Sequence, residues 1–343
     1  MAKRKGTYTV VFDEPISVRA SATVGSKKES EGPIGHAFDV INEDDYFGEK
    51  TWEKAESRMQ QTAIQTALDK AKYQPSDIDC VFAGDLMNQC VGSTYGLRSF
   101  GIPFVGLFGA CSTMAESLMT ASVFLDSGAA GRAVACTSSH FCTAERQFRL
   151  PLEYGGQRTP TAQWTATAAG AAVLEKGDTP PFIHAATIGT IEDLGITDAN
   201  NMGAAMAPAA AATIKRFFDD TGTRPNDYDL VITGDLGKVG GTILRDLLRR
   251  DGYDLEHCQT DCGLMLYDLE KQDVHAGASG CGCSASVMCG HILPLMHTGQ
   301  LHDILFIATG ALMNTTVVQQ GESIASIAHL VYLSSKKKGG LVS

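Results

Sequence analysis

Cys111 is the residue of this 343-residue chain best placed to do chemistry. It stands in Phe108-Gly109-Ala110-Cys111-Ser112-Thr113, where a Gly-containing turn feeds a segment expected to be helical to Leu125. Unpaired N–H groups and the dipole at a helix start favour an anion, which biases a thiol there toward thiolate and makes it a usable nucleophile. The same N–H groups could hold an oxyanion or a carboxylate. The competing reading is a small buried side chain that only fills space. The other nine cysteines form no Cys-x-x-Cys pair, and Cys281-Gly282-Cys283 has no partner pair at zinc-finger distance, so no structural metal is expected. Ten cysteines so spaced fit reduced thiols in a cytosol-facing protein. Asn42-Glu43-Asp44-Asp45 lacks the EF-hand spacing and glycine and reads as a solvated loop. Neither a phosphate-binding Gly-Lys-Ser/Thr loop nor a dinucleotide-binding Gly-x-Gly-x-x-Gly stands after a strand, and no cofactor is implied. His291 and His297 fall on an expected helix and read as structural or surface residues.

The elements that must position Cys111 are visible as an internal repeat. Pro75-Ser76-Asp77-Ile78-Asp79-Cys80-Val81-Phe82-Ala83-Gly84-Asp85-Leu86 matches Pro225-Asn226-Asp227-Tyr228-Asp229-Leu230-Val231-Ile232-Thr233-Gly234-Asp235-Leu236. Each copy follows an expected helix and reads as a proline-led turn into a short buried strand. A second pair of segments also matches. The Cys111 helix, Ser127-Gly128 and strand Arg132–Thr137 correspond to a helix from Gly280 to Met296, Thr298-Gly299 and strand Ile304–Thr309. Alternation of strand and helix in both halves predicts an α/β fold of two similar halves, divided near residue 178, with a strand from Phe182 to Ile188 opening the second. The resulting division is 1–178, carrying Cys111, and 179–343.

Composition narrows the function. Hydrophobic residues make up 44% and charged residues 20%, which suits a globular chain with a large core. The formal net charge of −11 disfavours nucleic-acid binding, although a local pocket can oppose the global sign. No apolar run is long enough to cross a bilayer, and the basic N-terminus lacks a signal-peptide core. Lys336-Lys337-Lys338 reads as a solvated end, with weak contact to anionic headgroups as the alternative.

The Gly-Ala-Cys-Ser helix start within two α/β halves, together with Ala168-Ala169-Gly170-Ala171-Ala172-Val173-Leu174, resembles the thiolase and ketoacyl-synthase superfamily over nearly the whole chain. A narrower resemblance rests on Gly35-His36-Ala37-Phe38-Asp39, Gly84-Asp85-Leu86-Met87-Asn88-Gln89 and Ser138-Ser139-His140-Phe141. It continues through Ala144–Arg149, Pro151–Arg158 and Thr161-Ala162-Gln163-Trp164-Thr165. This pattern is similar to the stage V sporulation protein AD family. The resemblance implies a thiolase-like αβαβα layering of mixed sheets and helices, and a homodimer. It also implies binding of dipicolinic acid (pyridine-2,6-dicarboxylate) and support for its uptake with calcium into developing endospores. The chain would then be a peripheral, cytosol-exposed subunit of a transport assembly at the forespore inner membrane, with links to spore germination. Its partners would be dipicolinate, free or as a calcium chelate, and membrane-spanning subunits.

Against the condensing enzymes of the superfamily, the pattern departs at the partners of the nucleophile. Where those enzymes carry a His, this chain has Thr233-Gly234-Asp235, and no Asn stands near Gly280-Cys281-Gly282. An ionised Asp cannot donate to an oxyanion. A non-catalytic protein is therefore expected, with acyl transfer through Cys111 as the alternative. A pyridine dicarboxylate needs donors for two carboxylates and a flat apolar wall. Arg146, Arg149 and Arg158 cluster with Gln157, Gln163, Trp164 and Thr165. The expected ligand-lining set is Cys111, His140, Arg158, Gln163, Trp164 and Asp235.

Overall fold

The structure is a computed structural model and describes residues 2–148 and 158–338. Its strands in chain order are β1 (Lys3–Lys5), β2 (Thr9–Ser26), β3 (Val40–Asn42), β4 (Cys80–Gly84), β5 (Phe104–Gly106), β6 (Arg132–Ser139) and β7 (Trp164–Thr165). They continue as β8 (Ala168–Lys176), β9 (Phe182–Thr187), β10 (Leu230–Thr233), β11 (Gln259–Asp261), β12 (Ala278–Ser279), β13 (Asp303–Ala311) and β14 (Ser326–Ser334). β7 and β12 pair with each other; the rest join in the order β11-β10-β13-β14-β9-β2-β8-β6-β4-β5, with β1 and β3 added to β2. Read inward from either end, the ladder shows two parallel pairings and then antiparallel ones up to the β2–β9 contact.

The repeated dozen residues do equivalent work in both places. Asp77 and Asp227 each accept from the backbone three residues back, Gln74 N and Arg224 N, both at 2.8 Å. Asp79 accepts from Gly131 N and Arg132 N, and Asp229 from His302 N and Asp303 N. Each thereby ties the entry of one parallel strand to the entry of its neighbour, which explains why both aspartates recur in register.

Apolar runs rather than alternating patterns mark these strands because both sheet faces are covered. In β6, Ala133 and Ala135 face one core while Val134 and Cys136 face another. In β13, Ile304, Phe306 and Ala308 face that same first core, and Leu305 and Ile307 a third. The shared core holds the helix Thr113–Ser127 and the helix that starts at Cys281; the helix Trp52–Ala71 covers one outer face and Met202–Thr221 the other. Helix, sheet, helix, sheet, helix is the resulting order. The inner helices approach the sheets so closely that small residues are required. A Cβ on Gly282 would strike the Ala168 carbonyl, and one on Gly310 the Gly109 carbonyl.

One expectation needs correction and another is completed by the structure. The helix expected without interruption from Gly280 to Met296 contains a π-helical turn, Met288–Ile292, before its last segment, Leu293–His297. Pro294 offers no N–H there, and a widened turn just ahead of it is one way to accommodate that loss. The C-terminal lysines are a solvated end, with Lys336 and Lys337 exposed, but ion pairs tie it to the body of the fold. Lys337 pairs with Asp178 at 2.8 Å and Lys338 with Asp303 at 2.7 Å. No helix among the described residues is long and apolar enough to cross a membrane.

Candidate functional site

Cys111 lies just ahead of Ser112, the N-cap of the inner helix Thr113–Ser127. Ala110 takes a left-handed φ of 51°, which turns the chain sharply into the helix. Thr113 fixes this turn. Its Oγ1 accepts from Gly109 N at 3.0 Å and donates to the Ala110 carbonyl at 2.7 Å. The Cys111 side chain is buried and ends 3.9 Å from Ser279 Oγ.

Asp235 is the polar centre of the site. It is fully buried, and its Oδ2 accepts from Ser279 Oγ at 3.0 Å and Gly280 N at 2.9 Å. Thr309 Oγ1 donates to Oδ1 at 2.8 Å, and the Cys111 thiol donates to the same carboxylate. Burial raises the Asp235 carboxyl, against the pull of these donors. Asp261 supports the turn from behind, accepting from Thr233 Oγ1, Leu236 N and Gly237 N at 2.6–3.0 Å. The arrangement corrects the expectation of a thiolate. Burial first, then the Asp235 charge and the hydrogen bond to it, push the Cys111 thiol well above its ordinary value. Alkylation of Cys111 at pH 7 should therefore run at least tenfold slower than that of a free cysteine and rise steadily toward pH 10; a fast reaction at neutral pH would contradict the geometry.

A narrow cavity of about 30 Å³ opens onto Cys111, Ser279 and Thr165. Its walls are mainly apolar, with Leu86, Phe148, Met202 and Met313 prominent. Ala144 and Phe148 come from the helix Phe141–Phe148. That helix is anchored by Glu56, which is buried and accepts from Ser138 Oγ at 3.0 Å and Thr143 Oγ1 at 2.7 Å. Burial and the neighbouring Asp85 charge raise Glu56 to about 8. Because the folded state holds this proton more tightly than the unfolded chain, its contribution to stability is full below about pH 4.5 and is lost as pH rises toward 8. Glu56→Gln should flatten that decline in urea melts across pH 5–8; an unchanged slope would assign the dependence elsewhere.

Of the expected residues, Cys111 and Asp235 come together. Gln163 joins them only indirectly, donating to the carbonyls of Asp235 at 2.7 Å and Ala278 at 2.8 Å, so it holds the turn in place. His140 is engaged elsewhere. Its Nε2 bonds the Asp45 carbonyl at 2.9 Å and its Nδ1 accepts from Cys142 N at 3.1 Å, while burial lowers its pKa. Both ring nitrogens are thus used in holding a loop. Trp164 follows the period of two along β7 and lies away from Thr165 and the cavity. Phe141 stacks on it at 3.8 Å, and Arg158 and Lys28 sit over its ring. Arg158 bonds Asp273 through both the carbonyl and the carboxylate at 2.8 Å. Arg146 pairs with Glu53. Arg149 and Gln157 lie outside the described residues. Sequence reasoning missed Ser279, Thr309, Glu56 and Lys28. Only Ser279 carried a local signal, through its place beside Gly280 at a helix start. No cluster suited to a metal ion occurs among the described residues.

The layered arrangement, with a cysteine at the start of an inner helix, defines a thiolase-like fold. Crystal structures share the fold at low sequence identity. The 3-oxoacyl-[acyl-carrier-protein] synthase III of Aquifex aeolicus VF5 superimposes with a TM-score of 0.55 at 13% identity, covering 93% of this chain and 99% of that one. OleA of Xanthomonas campestris, bound with cerulenin, gives 0.57 at 14% identity, covering 94% and 97%. Within that class the chain belongs to the stage V sporulation protein AD family, whose pattern it matches over residues 6–334. It is 46% identical over 327 residues to the stage V sporulation protein AD of Bacillus subtilis (strain 168), covering 95% of this chain and 96% of that protein.

Proposed function

We propose that this sporulation protein binds dipicolinate without transforming it and supports its uptake, with calcium, into the developing endospore. The observation that carries the non-catalytic part is the carboxylate of Asp235 against Cys111. A condensing site needs a thiolate and donors aimed at a developing oxyanion. Here burial keeps the sulfur protonated, and the side chain beside it is an acceptor that adds to that effect. Family membership supports the sporulation role. In this reading the chain is a peripheral, cytosol-facing subunit at the forespore inner membrane, and other subunits cross the bilayer.

Calorimetric titration with dipicolinate tests the reading. Saturable binding near one site per chain, competed poorly by pyridine monocarboxylates, is expected. No binding with or without calcium, checked by equilibrium dialysis, would remove the chain as an autonomous carrier of the ligand.

The apolar cavity ending at a thiol favours one second reading, acyl transfer through Cys111. It predicts a stoichiometric adduct on Cys111 in the mass spectrum after incubation with acyl-CoA, whereas the binding reading predicts none. The proposal extends to a homodimer. β5 ends one side of the ladder with an open edge, and Phe104 and Phe108 beside it are 39% and 47% exposed. Open strand edges flanked by apolar side chains are covered in stable proteins. Phe104→Lys with Phe108→Glu should shift the mass measured by light scattering from dimer to monomer; a wild-type monomer would refute the assembly.

A further inference from the structure

The carboxylates of a pyridine dicarboxylate are poorly served by the cavity at Cys111. The one charged side chain in its lining is an acid, Glu145, a second acid, Asp235, stands behind Cys111 and Ser279, and the walls are mainly apolar. A different cluster has the chemistry that cavity lacks. On β7, Thr165 faces the cavity and Trp164, one residue earlier, faces the opposite side. Phe141 covers one face of the indole, with rings 12° from parallel. Lys28 Nζ lies 4.2 Å and the Arg158 guanidinium carbon 4.6 Å from the ring centroid, so the two cations share the other face.

Neither cation is fully satisfied. Arg158 Nη2 is used by Asp273, but Nη1 is buried and has no hydrogen-bond partner among the described residues. Lys28 Nζ makes no ion pair among the described residues; its close contacts are the rings of Trp164 and Tyr267. Burial and the Arg158 charge both lower the Lys28 pKa, a sign that the positive charges are crowded. The nearby acids Glu29, Asp273 and Glu31 offset this only in part. Asp273 is committed to Arg158 and to His275, while Glu29 is buried and bonded to Tyr267, Ser26 and Thr167 N. A buried donor without a partner is costly, and two crowded cations are relieved by one bridging anion.

We infer that Lys28 and Arg158, set over Trp164, form a carboxylate-binding site that takes one carboxylate of dipicolinate, an assignment that rests on the ligand proposed above. Arg158 Nη1 and Lys28 Nζ would donate to its two oxygens, and the aromatic layer of Trp164 and Phe141 would flank it.

Trp52 and Trp164 are the chain's two tryptophans, so Trp52→Phe leaves Trp164 as the sole indole reporter. In that background, titration with dipicolinate excited at 295 nm should change the indole emission saturably, with the Kd found by calorimetry. Lys28→Met and Arg158→Gln should each weaken binding by about tenfold or more. Circular dichroism and thermal melts establish that each variant is folded. No calorimetric or fluorescence response from the wild-type chain would defeat the ligand reading itself. Wild-type binding that Lys28→Met and Arg158→Gln leave intact, with a silent Trp164, would retain the ligand and overturn this site. Equal weakening for chloride and for dipicolinate would mark an adventitious anion site and overturn it too.

Discussion

Replacing Asp235 by alanine is expected to lower folding stability by about 3 kcal/mol, because several buried donors lose their acceptor at once. Ser279 Oγ, Gly280 N, Thr309 Oγ1 and the Cys111 thiol all converge on this carboxylate. They come from different elements, so the loss loosens the junction of β12, β13 and the Cys111 turn together. The same change should quicken alkylation of Cys111 at pH 7 severalfold, since the charge that adds to burial in keeping the thiol protonated is gone. Asp235→Asn keeps an acceptor and should lose less stability while gaining much of the reactivity. Urea midpoints and iodoacetamide kinetics measure both effects. An alanine variant with the wild-type midpoint and unchanged thiol kinetics would show that Asp235 does not organise the site.

Gly310→Val should destabilise the chain by about 2–3 kcal/mol through overpacking. A Cβ there would collide with the Gly109 carbonyl and press on Ser112 N at 3.1 Å. The turn holding Ala110 in its left-handed conformation has no slack, because Thr113 already clamps it from both sides. Cys111 should move, and its alkylation rate with it. Gly321→Val makes a suitable contrast for crowding: no atom lies near its added Cβ, so its cost should come only from its positive φ of 91°. If Gly310→Val and Gly321→Val melt alike and Cys111 keeps its reactivity, close packing behind the turn is not what fixes the thiol.

The strands were readable because their burial on two faces leaves continuous apolar runs, and Asp79 and Asp229 showed their shared role by recurring in one motif. The inner helices gave a weaker signal. Cys281 to Val287 is made of Gly, Cys, Ser, Ala and Val, chosen for thinness between two sheets rather than for an apolar stripe. The site was half legible. Cys111 and Asp235 each end a recognisable unit, but their meeting with Ser279 and Thr309 depends on ladder register, which no short stretch of sequence records. His140, Arg158 and Trp164 have residue types suited to a ligand. Their actual partners are a distant carbonyl, a distant aspartate and a stacked ring, contacts set by tertiary placement alone.

β2 spends its 18 residues on both sides of the molecule: its first part pairs with β9 and its later part with β8. During synthesis this strand emerges well before either partner, since both lie between Ala168 and Thr187. Some 150 residues must be made before β2 can find either neighbour, at a translation rate of about 5–20 residues per second. For that interval the middle of the strand waits unpaired on the ribosome, since only the short β1 and β3 near its two ends are available to it early. Non-local pairing of this kind slows folding and exposes the nascent chain to aggregation. Truncation just before β9 should consequently give an insoluble product, even though it retains Cys111, the helix behind it and every strand from β2 to β8.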